Sequence, residues 1–325
     1  MSPRLHAPLR VAIVTPAARG SRSGNRITAL RWAGHLRRLG AHVRVLEAWQ
    51  GQACDLLVAV HAVKTAESVH AAAAALPHLR VVVLLAGTDV YPRFAPDPAA
   101  AAALQRADAL IALQPRCADV LPPELRAKVH TIVQSATAVP TPRPAAPFRF
   151  CVLAHLRPVK DPLLPVQALA HVPVQVPVEL VLAGRALTPE LATAATVATA
   201  AEPRARWVGE LRRRAAQTLL GSSHICIVPS SAEGGANVVS EAIAAGTPIL
   251  ATAIPGNLGL LGDDWPGSFS VGDARGLGVL MSRTATEPAF YQNMVKRTLA
   301  LQPMVDPRHE LREWRDLLTQ LSLGA

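Results

Sequence analysis

The chain has 325 residues, which is more than one small hydrophobic core needs and suits two domains of ordinary size. Half of its residues are hydrophobic, but no apolar run reaches the roughly 18 residues of a membrane-spanning helix, so we expect no membrane partner. The net charge of +10 is compatible with nucleic acid binding, yet aromatic residues amount to only 4% and offer few surfaces for stacking bases. We therefore expect no nucleic acid partner, and attribute the charge to an arginine-rich composition and an anionic small substrate.

The N-terminus and the cysteines predict a cytoplasmic protein. The opening residues MSPRLHAPLR lack the apolar core of a signal peptide. The cysteines are scattered, lie in or beside apolar runs and have no metal-binding spacing, as is typical of buried thiols in a reducing compartment. They are Cys54, Cys117, Cys151 and Cys226. We expect no metal and no cofactor, and the oligomeric state stays open.

Strand-like and helix-like patterns alternate along residues 1–140. The apolar run at residues 9–17 predicts a buried strand, and a helical spacing follows it, with Gly40 in the position of a C-cap. The predicted apolar face of that helix comprises Ile27, Leu30, Ala33, Leu36 and Leu39. Further strand-like runs lie at residues 42–48, 54–62, 79–87, 107–115 and 127–135. The alternation predicts a parallel sheet covered on both faces, and hence an N-terminal α/β domain over residues 1–140.

A proline-rich segment separates this domain from a second one. Residues 141–149 have no apolar period and are interpreted as a linker. Strand-like runs resume at residues 150–156, 178–184, 206–211, 223–230 and 247–252. They predict a second α/β domain over residues 150–304. Residues 305–325 are helical, and the apolar side of this helix comprises Leu311, Trp314, Leu317, Leu318 and Leu321. Ligands of such sheets bind beyond the carboxyl ends of the strands.

The most informative stretch, AEGGANVVSEAIAAGTPI at residues 232–249, directly follows a predicted strand. Its helix is predicted to begin near Ala236 and to stop before Gly246. Gly234 and Gly235, followed by the backbone of Ala236 and Asn237, suit an anion at the helix N-terminus.

Two carboxylates accompany this anion site. Glu233 precedes the helix and Glu241 lies about one turn into it. Because carboxylates repel phosphate, hydroxyl groups are their better partners: a ribose diol for Glu241 and a sugar ring for Glu233. A nucleotide diphosphate sugar fits both features. The alternative is an ordinary helix with capping glutamates after a glycine-rich turn.

This stretch and the two-domain layout resemble GT-B glycosyltransferases of the large family-four type. The resemblance implies an α/β fold in which two Rossmann-like domains face a central cleft, with a C-terminal helix crossing back to the first domain. It implies that the second domain binds the nucleotide sugar. Charged groups would stabilise the departing diphosphate, so no metal is needed.

A narrower resemblance covers essentially the whole chain. The strings VTPAARGSRSGNRITALRWA, LAGTDVY, HLRPVKDP and EGGANVVSEAIAAGTPI, together with IPGNLGLLGDDWPG, are similar to the selenosugar synthases of selenoneine biosynthesis. That family implies two substrates, selenophosphate and a UDP-sugar, typically UDP-N-acetylglucosamine. Selenium is joined to the anomeric carbon, which gives a 1-selenosugar.

The resemblance assigns further donor-side residues. Lys160 matches the usual lysine that holds the pyrophosphate, whereas His155 occupies the usual arginine position and Arg157 lies two residues on. We therefore expect Arg157 to take the arginine role, next to His155. Residues 254–267 are interpreted as a loop in which Gly256 lets the backbone approach the donor sugar; a plain turn-rich connector is the alternative.

Acceptor-side residues are predicted in the first domain. The loop at residues 15–26 crowds positive charge at a helix N-terminus, which is unfavourable unless an anion binds there. Its anion-clamp residues, for selenophosphate or for the donor pyrophosphate when the domains close, are Arg19, Arg22, Gly24, Asn25 and Arg26. His61, predicted as a catalytic residue, and the acceptor-contacting Lys64, Thr88 and Asp89 follow two neighbouring strands. A mobile arginine loop and a structural His61 are the ordinary alternatives.

Ala86 marks a departure from the family-four pattern, which commonly has histidine there. An alcohol acceptor needs help to lose its proton, whereas selenophosphate is already anionic. The change therefore favours an unusual acceptor without identifying selenium. A conventional transferase that moves a hexose to an alcohol remains the alternative function, and a basic nucleic-acid-binding protein is a third. The preferred UDP-sugar, the stereochemical outcome and the site of phosphate removal stay open.

Overall fold

The computed structural model describes residues 8–91 and 94–323. Two compact units divide them: one comprises the described residues up to Gln134 together with those from Pro307 onward, and the other comprises Ser135–Asp306. Each unit contains one six-stranded sheet, and every recorded strand pair is parallel. Within those two ranges, no helix combines the length and the hydropathy that spanning a bilayer requires.

The first unit has the strand order β2-β1-β3-β4-β5-β6. Its strands are β1 Arg10–Val14, β2 His42–Leu46, β3 Leu56–Val60, β4 Arg80–Leu85, β5 Ala109–Ala112 and β6 Val129–Thr131. Its helices before the second unit are α1 Gly24–Arg38, α2 Ala66–Ala75, α3 Pro98–Arg106 and α4 Pro123–Arg126. The central strand β3 is buried along its whole length, which is why its sequence is a continuous apolar run rather than an alternating one.

The second unit has the strand order β12-β11-β10-β7-β8-β9. Its strands are β7 Phe148–Leu153, β8 Val178–Ala183, β9 Ala205–Trp207, β10 Ile225–Val228, β11 Ile249–Thr252 and β12 Ser268–Phe269. Its helices are α5 Leu164–Ala168, α6 Pro189–Ala201, α7 Arg213–Ser222, α8 Asn237–Ala245, α9 Pro255–Leu261, α10 Ala274–Thr286 and α11 Pro288–Ala300. The short β12 has no counterpart among the predicted strands, because two residues are too few to show a pattern.

The buried face of α1 differs from the predicted one. Leu30 is 51% exposed, whereas Ala29, Trp32, Ala33 and Leu36 are completely buried. The buried stripe therefore runs through positions i, i+3, i+4 and i+7 counted from Ala29. The prediction was right for Ala33 and Leu36 and wrong for Leu30, because Ala29 and Trp32 carry the packing where a leucine was expected.

The C-terminal helix, α12 Pro307–Gln320, belongs to the first unit. Four of the five predicted apolar residues on it, Trp314, Leu317, Leu318 and Leu321, are buried in the core of that unit. Leu311 is half-buried. Trp314 contacts Trp32 of α1 edge to face, with ring centroids 5.0 Å apart.

A fully buried carboxylate joins α12 to α1. Glu310 is 0% exposed and accepts hydrogen bonds from Trp32 Nε1 at 2.7 Å and Arg31 Nε at 3.2 Å. The ring of His35 lies 3.1 Å away through its Nε2. Because three side chains of one helix surround this carboxylate, its burial is compensated and it fixes the position of α12 on α1.

We predict that Glu310→Ala lowers the free energy of unfolding by about 3–5 kcal/mol, since it removes one side of a buried charged network. Urea unfolding followed by tryptophan fluorescence measures this loss. Glu313→Ala is the matched control, because its side chain on the same helix is 35% exposed and lies 3.8 Å from His309. The control is expected to change stability by less than about 0.5 kcal/mol. Equal effects of the two substitutions would contradict the assignment.

Candidate functional site

The second unit has a reversal of strand order next to its first strand. β7 lies between β8 and β10, so the chain leaves β7 toward one side of the sheet and later returns to the other. The loops that follow β7 and β10 therefore diverge, which opens a crevice at the carboxyl ends of these two strands. The predicted donor residues 155–160 and 233–237 lie in these two loops.

A largely buried ion pair joins the two loops. Lys160 ends the short 3₁₀ helix Pro158–Lys160, and its Nζ donates to Glu233 Oε1. Their side chains are only 17% and 9% exposed. The backbone N–H of Ser231 also donates to the carbonyl of Val159 at 2.9 Å. Two charged residues predicted from separate motifs are thus in direct contact and shielded from bulk water.

The backbone near Glu233 is held by residues at the end of β11 and just after it. The Thr252 hydroxyl donates to the carbonyl of Ser230 at 2.5 Å, and Asn257 Nδ2 donates to Thr252 Oγ1 at 3.0 Å. At Gly256, an added Cβ would lie 2.0 Å from the carbonyl oxygen of Glu233. Sequence reasoning selected Gly256 for contact with a sugar, whereas here it packs directly behind Glu233; its donor contact stays a prediction.

The interpretation of residues 254–267 as a loop was wrong over its first half. Helix α9 occupies Pro255–Leu261, with its proline in the first turn. Proline is well suited to that position, because the amide that it lacks has no partner inside the helix. The two glycines in this short stretch hid the helical pattern.

Helix α8 begins at the crevice, and the start of the helix has few groups that would repel an anion or compete with it for the backbone amides. It covers Asn237–Ala245, as predicted, and ends at Gly246 in the left-handed conformation with φ 63°. Within the described part of the chain, no side chain caps its start at Ala236, and its first turn contains no acidic residue. The dipole of the helix and its first-turn amides favour negative charge there.

The remaining residues of the glycine-rich segment line the start of α8. Gly234, Gly235 and Ala236 are buried, and Gly235 has φ 146°, which favours glycine. Glu241 is half-buried in the second turn of the helix. The segment therefore presents closely packed backbone at the helix start and a carboxylate further along the helix.

His155 and Arg157 differ in their exposure to solvent. His155 is half-buried, and its Nδ1 accepts from the backbone N–H of Arg185 at 3.2 Å. Arg157 is exposed, with extended backbone before the 3₁₀ helix. Arg185, which was not among the predicted donor residues, is exposed and follows β8 directly after Gly184. An added Cβ at Gly184 would lie 1.8 Å from the carbonyl of Ala154, so the ends of β7 and β8 are tightly packed.

The first unit has the same kind of reversal. β1 lies between β2 and β3, so the loops after β1 and β3 diverge at their carboxyl ends. His61 directly follows β3 and has φ 93°, a strained conformation for a residue with a side chain. Its Nε2 lies 3.2 Å from Thr88 Oγ1, and its Nδ1 lies 3.6 Å from Asp89 Oδ2. His61, Thr88 and Asp89, predicted to act together, are brought together.

Asp89 is held mainly by the backbone. Its carboxylate accepts from the N–H groups of Ala62 at 2.8 Å, Ala86 at 3.1 Å and Gly87 at 2.7 Å. These bonds fix the turns after β3 and β4, so Asp89 acts as a positioning group. Thr88 is exposed, which leaves its hydroxyl as the better candidate for a ligand contact.

Burial lowers the pKa of His61, and nearby charges modify this effect. Asp89 acts to raise the pKa, while Lys64, whose side chain is exposed, acts to lower it further. His61 is therefore neutral at pH 7 and able to accept a proton.

The predicted clamp residues of the arginine loop, residues 15–26, lie in three different environments. Arg19 and Arg22 are exposed, and the backbone N–H of Arg19 donates to Glu47 Oε1 at 2.7 Å. Arg26 is buried. Gly24 and Asn25 form the first two positions of α1. The predicted clamp is thus divided between solvent-facing charges and one arginine inside the unit.

The cysteines and acidic residues offer little for a metal. All four cysteines are buried free thiols, and Cys151 and Cys226 are register partners on β7 and β10. Throughout residues 8–91 and 94–323, no three His, Cys, Asp or Glu side chains are grouped as the ligands of a metal ion.

Comparison with known proteins identifies the architecture. The family described as Glycosyl transferases group 1 matches residues 136–273, a range inside the second unit that includes the Lys160–Glu233 pair and α8. The chain has the GT-B fold. No curated protein sequence is significantly similar to it.

Solved structures resemble the GT-B chain over nearly its full length. Sucrose-phosphate synthase from Thermosynechococcus elongatus has a TM-score of 0.79 at 16% identity, covering 98% of this chain and 100% of that one. HepE from Anabaena, in complex with UDP-glucose, has a TM-score of 0.77 at 15% identity, covering 96% and 100%. A glycosyltransferase from Rickettsia africae has a TM-score of 0.75 at 12% identity, covering 98% and 100%. At these identities the likeness establishes the fold alone.

We predict that Gly256→Ala destabilises the protein by about 1–3 kcal/mol, because the new methyl group displaces the backbone of Glu233. Denaturant unfolding measures the change. Gly34→Ala is the control, since its added Cβ meets nothing within 4 Å. In helix α1 it is expected to stabilise the protein by up to about 1 kcal/mol. Wild-type stability of Gly256→Ala would show that the close packing behind Glu233 is not a constraint.

We predict that His61 titrates below its ordinary pKa of 6.5, that Lys64→Gln raises this pKa and that Asp89→Asn lowers it. NMR titration of the imidazole resonances measures all three. Since the unfolded state binds the proton more readily, the stability that His61 contributes is complete above 6.5 and declines as the pH falls toward its folded pKa. Shifts of the same sign in both variants would contradict the arrangement.

Proposed function

We propose that the protein is a glycosyltransferase that uses a UDP-sugar as donor. The observation that carries the proposal is the buried Lys160–Glu233 pair beside the start of α8, at the strand-order reversal of the second unit. The match of this region to the group 1 glycosyltransferases supports it. So does the fold shared with HepE, whose structures contain UDP and glucose or UDP-glucose.

In this proposal, Lys160 and the start of α8 stabilise the diphosphate as it leaves. Negative charge on the leaving group grows as its bond to the anomeric carbon breaks, and fixed positive groups lower the energy of that state without reorganisation. Arg157 supplies a second cation from the same loop, with His155 and Arg185 beside it. Because these groups neutralise the diphosphate, we propose that transfer requires no metal ion.

The carboxylates bind the two sugars in this account. Glu241 accepts hydrogen bonds from the ribose hydroxyls, and Glu233 accepts them from the transferred sugar. Lys160 holds Glu233 before the donor binds, which keeps both groups in place. Gly234, Gly235, Ala236 and Asn237 surround the diphosphate, and Gly256 supports Glu233 from behind.

For the acceptor, we propose selenophosphate. Its selenium atom forms the bond to the anomeric carbon while the bond from that carbon to the UDP oxygen breaks, and UDP leaves with the bonding electrons. The whole-chain resemblance described above supports this assignment, as does Ala86, because an anionic nucleophile requires no base at that position. Thr88, Lys64 and the arginine loop are the proposed acceptor contacts.

An alcohol acceptor is the second candidate, and His61 is the observation that favours it. A neutral imidazole next to the Thr88 hydroxyl can take the proton of an attacking alcohol. In that case the same donor site transfers a hexose from a UDP-sugar to a conventional acceptor.

Product analysis tests the proposal directly. The purified protein is incubated with UDP-N-acetylglucosamine and fresh selenophosphate in the presence of EDTA, and mass spectrometry identifies the products. Formation of UDP together with a selenium-bearing sugar supports both the UDP-sugar donor and the selenophosphate acceptor. Transfer to an alcohol but not to selenophosphate selects the second candidate. Absence of transfer and of donor binding would contradict the UDP-sugar assignment, and a need for added Mg²⁺ would contradict metal independence.

We predict that Lys160→Ala lowers kcat for transfer from UDP-N-acetylglucosamine about 10²–10³-fold, the usual effect of removing one electrostatic contact to the transition state. Initial rates at saturating donor measure the change, and circular dichroism checks that the variant is folded. Lys296→Ala removes an exposed lysine of the same unit and is expected to retain wild-type rates. An unchanged kcat in Lys160→Ala would remove this residue from the proposed mechanism.

A further inference from the structure

Residues 15–26, which run from the end of β1 into the first turn of α1, contain three buried polar atoms without hydrogen-bond partners among the described residues. They are Thr15 Oγ1, Ser23 Oγ and Arg26 Nε. Thr15 is 0% exposed and Arg26 is 8% exposed. Buried donors are almost always satisfied in folded proteins, and an unsatisfied donor on a buried charged group is especially costly. Three such atoms within residues 15–26 indicate a ligand that the protein alone does not supply.

The three residues flank the start of a long helix. Thr15 directly follows β1 at the strand-order reversal, and Ser23 is the N-cap of the 15-residue helix α1. Ser23 has the extended backbone of a capping residue, but its side chain makes no capping bond. Arg26 occupies the third position of α1. Helical side chains lean toward the N-terminus, so the Arg26 guanidinium is directed toward the Ser23 end of the helix.

Positive charges predominate at this helix start. No acidic residue lies in the first turn of α1. Glu47, a carboxylate that contacts the loop, accepts the backbone N–H of Arg19 at 2.7 Å. Arg22 is exposed. Since the helix dipole already makes this end positive, burial of Arg26 here is destabilising until an anion binds.

We infer that this segment binds a small tetrahedral oxyanion of the phosphate class, and that the oxyanion belongs to the second substrate. Arg26 offers a planar pair of donors, Ser23 and Thr15 offer hydroxyl donors, and the first turn of α1 offers backbone amides. The assignment to a second substrate rests on the proposed function, whereas binding of the oxyanion does not. The acceptor class is therefore a phosphate or a close analogue in which another atom replaces one oxygen.

Calorimetric titration with inorganic phosphate at constant ionic strength tests the site. Wild-type protein is expected to bind phosphate, and Arg26→Gln is expected to weaken binding about ten- to a hundredfold, the usual effect of losing a charge-assisted contact. Arg38→Gln is the matched control, because it removes the same charge from an exposed position at the opposite end of α1. It is expected to bind phosphate as the wild type does. Equal binding in wild type and Arg26→Gln, or absence of phosphate binding, would overturn the inference.

UDP titrations on the same samples separate this inference from the proposed function. Phosphate binding that persists at saturating UDP supports a site for the second substrate, and displacement by UDP overturns that assignment. If UDP fails to bind while phosphate binds through Arg26, the oxyanion site is supported and the UDP-sugar assignment is contradicted. If UDP binds and phosphate does not, the oxyanion site fails alone.

Thermal unfolding distinguishes a binding role from a structural role. Arg26→Met removes the buried charge and retains the apolar bulk of the side chain, so it is expected to raise the Tm without phosphate. Phosphate is expected to raise the Tm of the wild type and of Arg38→Gln but not of Arg26→Met. A lower Tm of Arg26→Met, with an unchanged response to phosphate, would identify Arg26 as structural.

Discussion

The reversal of strand order in each parallel sheet is the constraint on which the candidate sites depend. A parallel sheet requires crossovers, and wherever successive crossovers leave a strand in opposite directions, two neighbouring loops diverge at its carboxyl end. In the second unit this separates the loops of Lys160 and Glu233 enough to form a crevice, yet leaves their side chains in contact. In the first unit it brings Thr15 and His61 to the ends of adjacent strands. The position of the polar residues follows from topology, and their chemistry follows from the sequence of each loop.

Saturation of hydrogen bonds separates structural polar groups from candidate functional ones. Glu310 and Asp89 are both buried, and each is surrounded by several donors from the protein. Such carboxylates hold backbone or helices in place and have little capacity left for a ligand. Arg26 lies at the other extreme, buried with an unpartnered Nε. Arg26 therefore differs from these two carboxylates, whose charges the protein itself compensates.

The sequence allowed most of the fold and the core of the donor site to be predicted, for identifiable physical reasons. Continuous apolar runs revealed the buried strands, and Gly246 revealed the end of α8. The burial of Leu30 on α1 and the loop at residues 255–261 were wrongly predicted, because alanine, tryptophan and glycine carry weak periodic signals. The role of Gly256 could not be predicted, since its contact with Glu233 depends on the packing of α9 against a distant loop. The difference between Arg26 and its two exposed neighbours likewise depends on burial, which the charge pattern alone does not reveal.

In our proposal, the second unit binds the diphosphate of a nucleotide sugar between the loop of Lys160 and the start of α8. Amide hydrogen exchange with and without UDP tests this binding site. We expect UDP to slow exchange in residues 156–161 and 231–241 and to leave the buried strands β7 and β10 unchanged. Unchanged exchange in both loops at saturating UDP, or protection confined to other parts of the second unit, would contradict it.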